Sequence, residues 1–164
     1  MARTELDRAV QPSLLDRLTD EHPRESADRP TSREASAKLF RQSVHRDVEA
    51  LLNTRRTIVP VGPQHHAVRR SVHEFGIRDT TGLAVGTAEG QKLLSDDIAD
   101  AIRRFEPRLA NVRVRLTDSS QTGAPQVRFA IEATLRMDPT PEQIVFDTVL
   151  DVASGTYDVT DDRP

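Results

Sequence analysis

Cysteine is absent from the 164 residues. A disulfide scaffold, a thiol nucleophile, an iron–sulfur cluster and a cysteine-ligated zinc site are therefore excluded. Tryptophan is also absent, tyrosine occurs once and aromatics make up 4%. That poverty counts against a sugar-binding cleft, which usually stacks rings on aromatic side chains. No run of about 18 apolar residues occurs, so no membrane span and no direct membrane insertion are expected. Residues 1–20 interleave acids and arginines, which does not suit the apolar stretch of a signal peptide. The expectation is a soluble, intracellular, cytoplasmic protein. Lysine is nearly absent as well: Lys38 and Lys92 stand against 21 arginines. Arginine's planar fork suits protein interfaces, although genome base composition explains the same bias.

The length fits one domain. Apolar residues reach only 36%, enough for a core but not for one that takes in the whole chain. The net charge of −3 points to no nucleic-acid partner. Its distribution is uneven. Residues 1–30 carry seven acids and five arginines, 41–78 carry seven arginines and three acids, and 151–164 carry four acids and one arginine.

Residues 1–34 read as an N-terminal arm and linker. Their one apolar island is Leu14, Leu15 and Leu18, on a short helical turn that Ser13 is placed to cap. Glu21 to Ser36, with Pro23 and Pro30, reads as linker. Three leucines cannot fold alone, so the island docks either on its own domain or on a partner. Residues 35–160 read as one α+β domain. Phe40, Val44, Val48 and Leu51, widened by Leu39 and Leu52, make the apolar stripe of a helix over 35–54. Residues 57–63, with Pro60 and Pro63, are extended but unsuited to a central strand. A short helix is expected over 67–75, closed by Gly76, and a turn over 79–82. A second strong helix spans 87–105, with Leu94, Ile98, Ala101, Ile102 and Phe105 as its stripe and Pro107 as its stop.

Beyond Pro107 the period changes from 3.6 to 2. Alternating runs at 112–116, 126–137 and 143–151 read as strands, with a short fourth at 156–159. Residues 119–125 and 138–141 are short enough to be hairpin loops. Helices first and strands afterwards give an α+β fold in which helices cover one face of a small antiparallel three- to four-stranded meander. The long run at 126–137 is expected at its centre.

No catalytic, cofactor or metal constellation stands out. His65, His66 and His73 lack metal-ligand spacing. There is no GxSxG elbow for a serine nucleophile, and Gly82 to Gly86 lacks the lysine of a phosphate-binding loop. Glu74, Glu89, Glu106 and Glu132 supply carboxylates, but a glycosidase also needs one buried acid beside an ionised partner. The most singular feature is Glu106-Pro107-Arg108-Leu109, at the helix-to-strand corner. An acid and a forked cation on a proline-stiffened corner make oriented, charge-assisted bonds. They serve equally as a polar anchor in a partner's groove or as an internal staple.

Four segments occur in a telling order: Leu14-Leu15-Asp16-Arg17-Leu18; Ser43 to Arg56, ending Leu51-Leu52-Asn53-Thr54-Arg55-Arg56; Phe75-Gly76-Ile77-Arg78-Asp79; and Ala101 to Leu109, ending Arg104-Phe105-Glu106-Pro107-Arg108-Leu109. Together they resemble the TssE family of type VI secretion system baseplate subunits, which belongs with the small wedge proteins of contractile-phage baseplates, some long labelled lysozyme-like. The resemblance runs over about residues 13–160. It implies a structural, non-enzymatic subunit with no cofactor and no small-molecule substrate. Its partners would be wedge proteins and the sheath subunits whose polymerisation it templates, at the cytoplasmic face of the inner membrane. It further implies that Glu106, Pro107 and Arg108 hold the protein in the wedge. The leucines Leu14, Leu15 and Leu18 join them as partner-binding candidates. The competing reading is a peptidoglycan-cleaving enzyme, after the old label. A third is an adaptor that binds through its arm.

Overall fold

The computed structural model describes residues 9–19, 32–80, 84–117 and 126–161. Among the described residues five segments are helical: α1 (Leu14–Leu18), α2 (Arg33–Leu52), α3 (His66–Arg69), a 3-10 turn (Val72–Glu74) and α4 (Ala88–Phe105). Four strands follow: β1 (Leu109–Thr117), β2 (Gln126–Leu135), β3 (Glu142–Asp151) and β4 (Thr156–Asp161). They pair antiparallel in the order β1-β2-β3-β4, a meander. The α+β class and the helix-then-meander order are as expected. The long alternating run, β2, is central, but so is β3, because β4 covers its outer side.

The helices begin where their caps put them. Ser32 Oγ accepts from the Ala35 N–H to start α2, and Thr87 Oγ1 accepts from the Gly90 N–H to start α4. α2 buries Phe40, Val44, Val48, Leu51 and Leu52, and α4 buries Leu94, Ile98, Ala101 and Ile102. Leu39 departs from the expected stripe and is exposed. Both helices lie on one sheet face, against Phe129, Ile131, Leu135, Phe146, Leu150, Tyr157 and Val159, all buried in one cluster. α4 packs on β1 and α2 on β4. Arg41 ties α2 to Glu142 at the start of β3 at 2.9 Å.

The expected helix over 67–75 is broken in two. Ser71 Oγ accepts from the His73 N–H while donating to the Val68 carbonyl, a local bonding pattern that competes with helix continuation. Gly76 does take a positive φ, +100°, but for another purpose. It lets the chain pass against Thr54, where an added Cβ would collide with the carbonyl oxygen. The Ile77 N–H reaches that carbonyl at 3.0 Å and the Arg56 N–H reaches the Ile77 carbonyl at 2.8 Å. The intervening residues thus form a loop with pinned ends. Strand β1 carries a bulge between Ala110 and Arg113, with Asn111 at φ +54°. The expected linker, the turn at 79–82 and the loop at 119–125 fall largely or wholly outside the described residues.

Candidate partner-binding site

The corner between α4 and β1 is built from the end of a helix. Pro107 has no N–H to continue α4, and the Leu109 N–H turns back to the Glu106 carbonyl. Glu106 is 4% exposed. Its carboxylate accepts from Arg108 Nε at 2.6 Å, from Arg108 Nη2 and from the Arg108 N–H. Arg108 Nη1 donates to Ser43 Oγ at 3.0 Å, Nη2 donates to Asp47 at 2.6 Å as well as to Glu106, and the guanidinium lies 5.8 Å from the Phe40 ring centre. Bonding to Glu106 is the largest influence and, with Asp47, it outweighs burial, so Arg108 is held in its charged form. In the free chain the corner is stapled to α2. Ser43 and Asp47 complete this cluster and escaped the sequence reading. Their spacing of four on α2 was the available signal, but neither belongs to the apolar stripe by which that helix was read.

The leucine island lies beside this staple. As expected, Ser13 caps α1: its Oγ accepts from the Asp16 N–H and donates to the Asp16 carboxylate. Arg46 bonds Asp16 at 2.7 Å and Asp47 at 3.1 Å. Burial would raise the Asp16 pKa, but the bonds from Ser13, Arg46 and Ser43 outweigh it and bring the value to about 2. Upstream, the Val10 N–H donates to Ser36 Oγ at 2.9 Å, and Val10 packs against the core. The arm therefore touches its own domain through polar contacts and one valine. Leu14, Leu15 and Leu18 point the other way, at 71, 65 and 74% exposed. Asp16, Arg46, Asp47, Arg108 and Glu106 form one unbroken chain of ion pairs. The two candidate sites, remote in sequence, thus lie at the two ends of one charge network.

The two sheet edges differ. On the outer side of β4, the Asn53 side chain accepts from the Tyr157 N–H at 2.9 Å and donates to the Tyr157 carbonyl at 2.8 Å. His45 Nε2 lies 2.7 Å from the Val159 carbonyl. Side chains of α2 and its C-cap therefore occupy the groups an added strand would need. On β1, Arg103 takes the Val112 carbonyl at 3.0 Å. By strand alternation Val114 and Leu116 turn their backbone groups to the same outer side, and no side chain among the described residues bonds them. Arg113 and Arg115 are exposed beside this stretch, and Arg115 faces Glu132 at 3.5 Å.

The remaining candidates sit in structural roles. Glu74 faces Arg56 and Arg104, at 3.5 and 3.7 Å, and Glu89 is exposed in the first turn of α4. Among the described residues no group of histidines and carboxylates is arranged to hold a metal ion. No helix among them is long and apolar enough to cross a membrane.

Comparison with known proteins fits this geometry. No curated protein matches the chain. The family model described as baseplate wedge protein gp25 matches residues 39–140, from α2 through the corner and β2 to the turn before β3. That is more than half of the chain, with the Glu106-Pro107-Arg108 corner inside it. The chain belongs to the gp25 family of baseplate wedge proteins, structural baseplate components among which the TssE subunits are counted.

Proposed function

We propose that the protein is the wedge subunit that joins a type VI secretion baseplate to the first ring of its contractile sheath, templates sheath polymerisation and has no enzymatic activity. Its place is the cytoplasmic face of the inner membrane, with wedge and sheath proteins as partners. Family membership supports the baseplate role. In this reading the Glu106-Pro107-Arg108 corner keeps the α4–β1 junction in the shape that the wedge accepts. Leu14, Leu15 and Leu18 are the apolar anchor of residues 1–34, which act as an arm on the domain at 35–160.

The asymmetry of the sheet edges carries the proposal. The β4 edge is closed by Asn53 and His45, while β1 beyond Val112 keeps open backbone groups. An open edge recruits an extended strand by main-chain hydrogen bonding. Sheath growth therefore begins on β1, between Val114 and Thr117, and exposed Arg113 and Arg115 favour a strand carrying acids.

The test is a proline at Leu116, where the N–H faces outward and its loss leaves the β1–β2 ladder intact. Baseplates carrying Leu116→Pro should still incorporate the subunit but grow no sheath, as scored by electron microscopy. Normal sheath lengths on these baseplates would refute addition at β1. The cell-wall-cleaving alternative predicts muropeptide release from purified peptidoglycan, lost in Glu106→Gln; we expect no release.

A further inference from the structure

Between Arg55 and Ile77 the chain forms a loop fastened from inside. Its ends are joined by the Arg55–Ile77 bridge. Glu74 sits between Arg56 and Arg104, Phe75 meets Phe105 edge to face at 5.3 Å, and Arg104 donates to the Arg69 carbonyl. A loop held this firmly would be expected to turn its apolar residues inward. It does the opposite: Ile58 is 89% exposed, Val72 is 87% exposed, and Val59 and Val68 are exposed as well. Val72 also lines an open pocket of about 430 Å³, together with Thr54, Arg55, Thr57, His73 and Phe75.

The charges around this surface are unbalanced. Arg55 is engaged by the Gly155 carbonyl, Arg56 by Glu74 and Asp97, and Arg78 by Asp97. Arg69 and Arg70 are exposed, and their guanidinium groups have no partner among the described residues. His65 and His66 are exposed on the same short stretch. Exposed aliphatic side chains along one loop, Val72 among them lining a pocket, with two unpaired arginines in the adjoining turn, complement one kind of partner: a protein segment with an aliphatic side chain for the pocket and carboxylates for the arginines. A flat lipid surface uses the cations and exposed valines but leaves the cavity empty.

We propose that the loop over residues 57–75 is a docking surface for an acidic, aliphatic segment of another protein. It is separate from the corner, the leucine island and the sheet edges, and the choice of wedge and sheath proteins as the source of its partner rests on the proposed baseplate role. The probes are fluorescein-labelled peptides tiled across the wedge and sheath subunits, titrated against the full chain by anisotropy. Peptides that bind should be acidic and carry leucine, isoleucine or valine. Exposed ion pairs are individually weak, so losing two of them in Arg69→Glu with Arg70→Glu should weaken binding by about two- to thirtyfold. Added salt should weaken it further. Val72→Asp, at an exposed position that leaves the fold intact, should also weaken binding, whereas Leu14→Asp with Leu18→Asp should not. The proposal fails if no acidic peptide binds, or if binding survives both the arginine and the Val72 variants. It also fails if vesicles containing anionic lipid bind the loop and the peptides do not.

Discussion

Single residues show where this fold spends polar groups and where it strands them. Tyr157 is buried with its hydroxyl unpaired among the described residues, and Thr148 Oγ1 is in the same position. Burial pushes the Tyr157 pKa up, so the ring stays neutral. Neither hydroxyl gains a hydrogen bond that offsets its desolvation, so Tyr157→Phe and Thr148→Val should each stabilise the domain by roughly 0.5–1.5 kcal/mol, read from chemical denaturation. A loss of stability would show that both hydroxyls are bonded in solution. Asp16 is the opposite case. Its pKa lies below the ordinary 3.8 because the ionised form is bonded by Ser13 and Arg46. A carboxyl depressed in the folded state contributes fully above its unfolded pKa, and that contribution is lost as pH falls towards the folded value. The contact of α1 with α2 should therefore hold from pH 7 to about 4 and loosen towards pH 2, followed through the amide resonances of Leu15 and Asp16. Asp16→Asn should loosen it at pH 7. Resonances that do not move in that variant would show that the ion pair does not hold the arm.

At the scale of elements, what the sequence made legible was what repeats. Helices α2 and α4 and all four strands follow from stripes and alternation in which many residues agree. Where few residues carry the signal, competition decides. Ser71 breaks the expected helix at 67–75 by bonding its own neighbours, and the fourth strand runs on to Asp161, past the expected 156–159. Short α1 was readable through its cap, yet which way it faced was not, because three leucines suit a core and an interface equally. The structure turns them outward, and α1 buries no residue. Hence Leu14→Asp with Leu18→Asp should leave the midpoint of thermal unfolding within about 2 °C of the parent, while wedge incorporation falls in a pull-down with purified wedge proteins. A larger drop would mean that the leucines pack on their own domain in solution.

Across the whole molecule, the informative feature is a relation between sites that no local pattern contains. Glu106 and Arg108 were conspicuous as an acid and a cation around a proline, and Leu14 to Leu18 as an apolar island, but nothing in either segment points to the other. The link is Asp47 on α2, one carboxylate shared by Arg46, which holds Asp16, and Arg108, which holds Glu106. Removing Asp16's charge leaves Arg46 to Asp47 alone, and that draws the carboxylate, met by Arg46 at Oδ1 and by Arg108 at Oδ2, away from Arg108. Removing Glu106's charge turns Arg108 towards Asp47 and competes with Arg46. Each change should therefore alter the effect of the other. In a double-mutant cycle of Asp16→Asn and Glu106→Gln, followed by urea unfolding, the coupling should exceed about 0.5 kcal/mol. The same cycle built from Asp16→Asn and Lys92→Ala should be additive within about 0.3 kcal/mol, because Lys92 pairs with Asp96 on the exposed face of α4, outside this charge network. Additivity in both cycles would make the arm and the corner independent sites on one domain. Coupling in the first alone would mean that a partner engaging the leucines also acts on the corner at the start of the sheet.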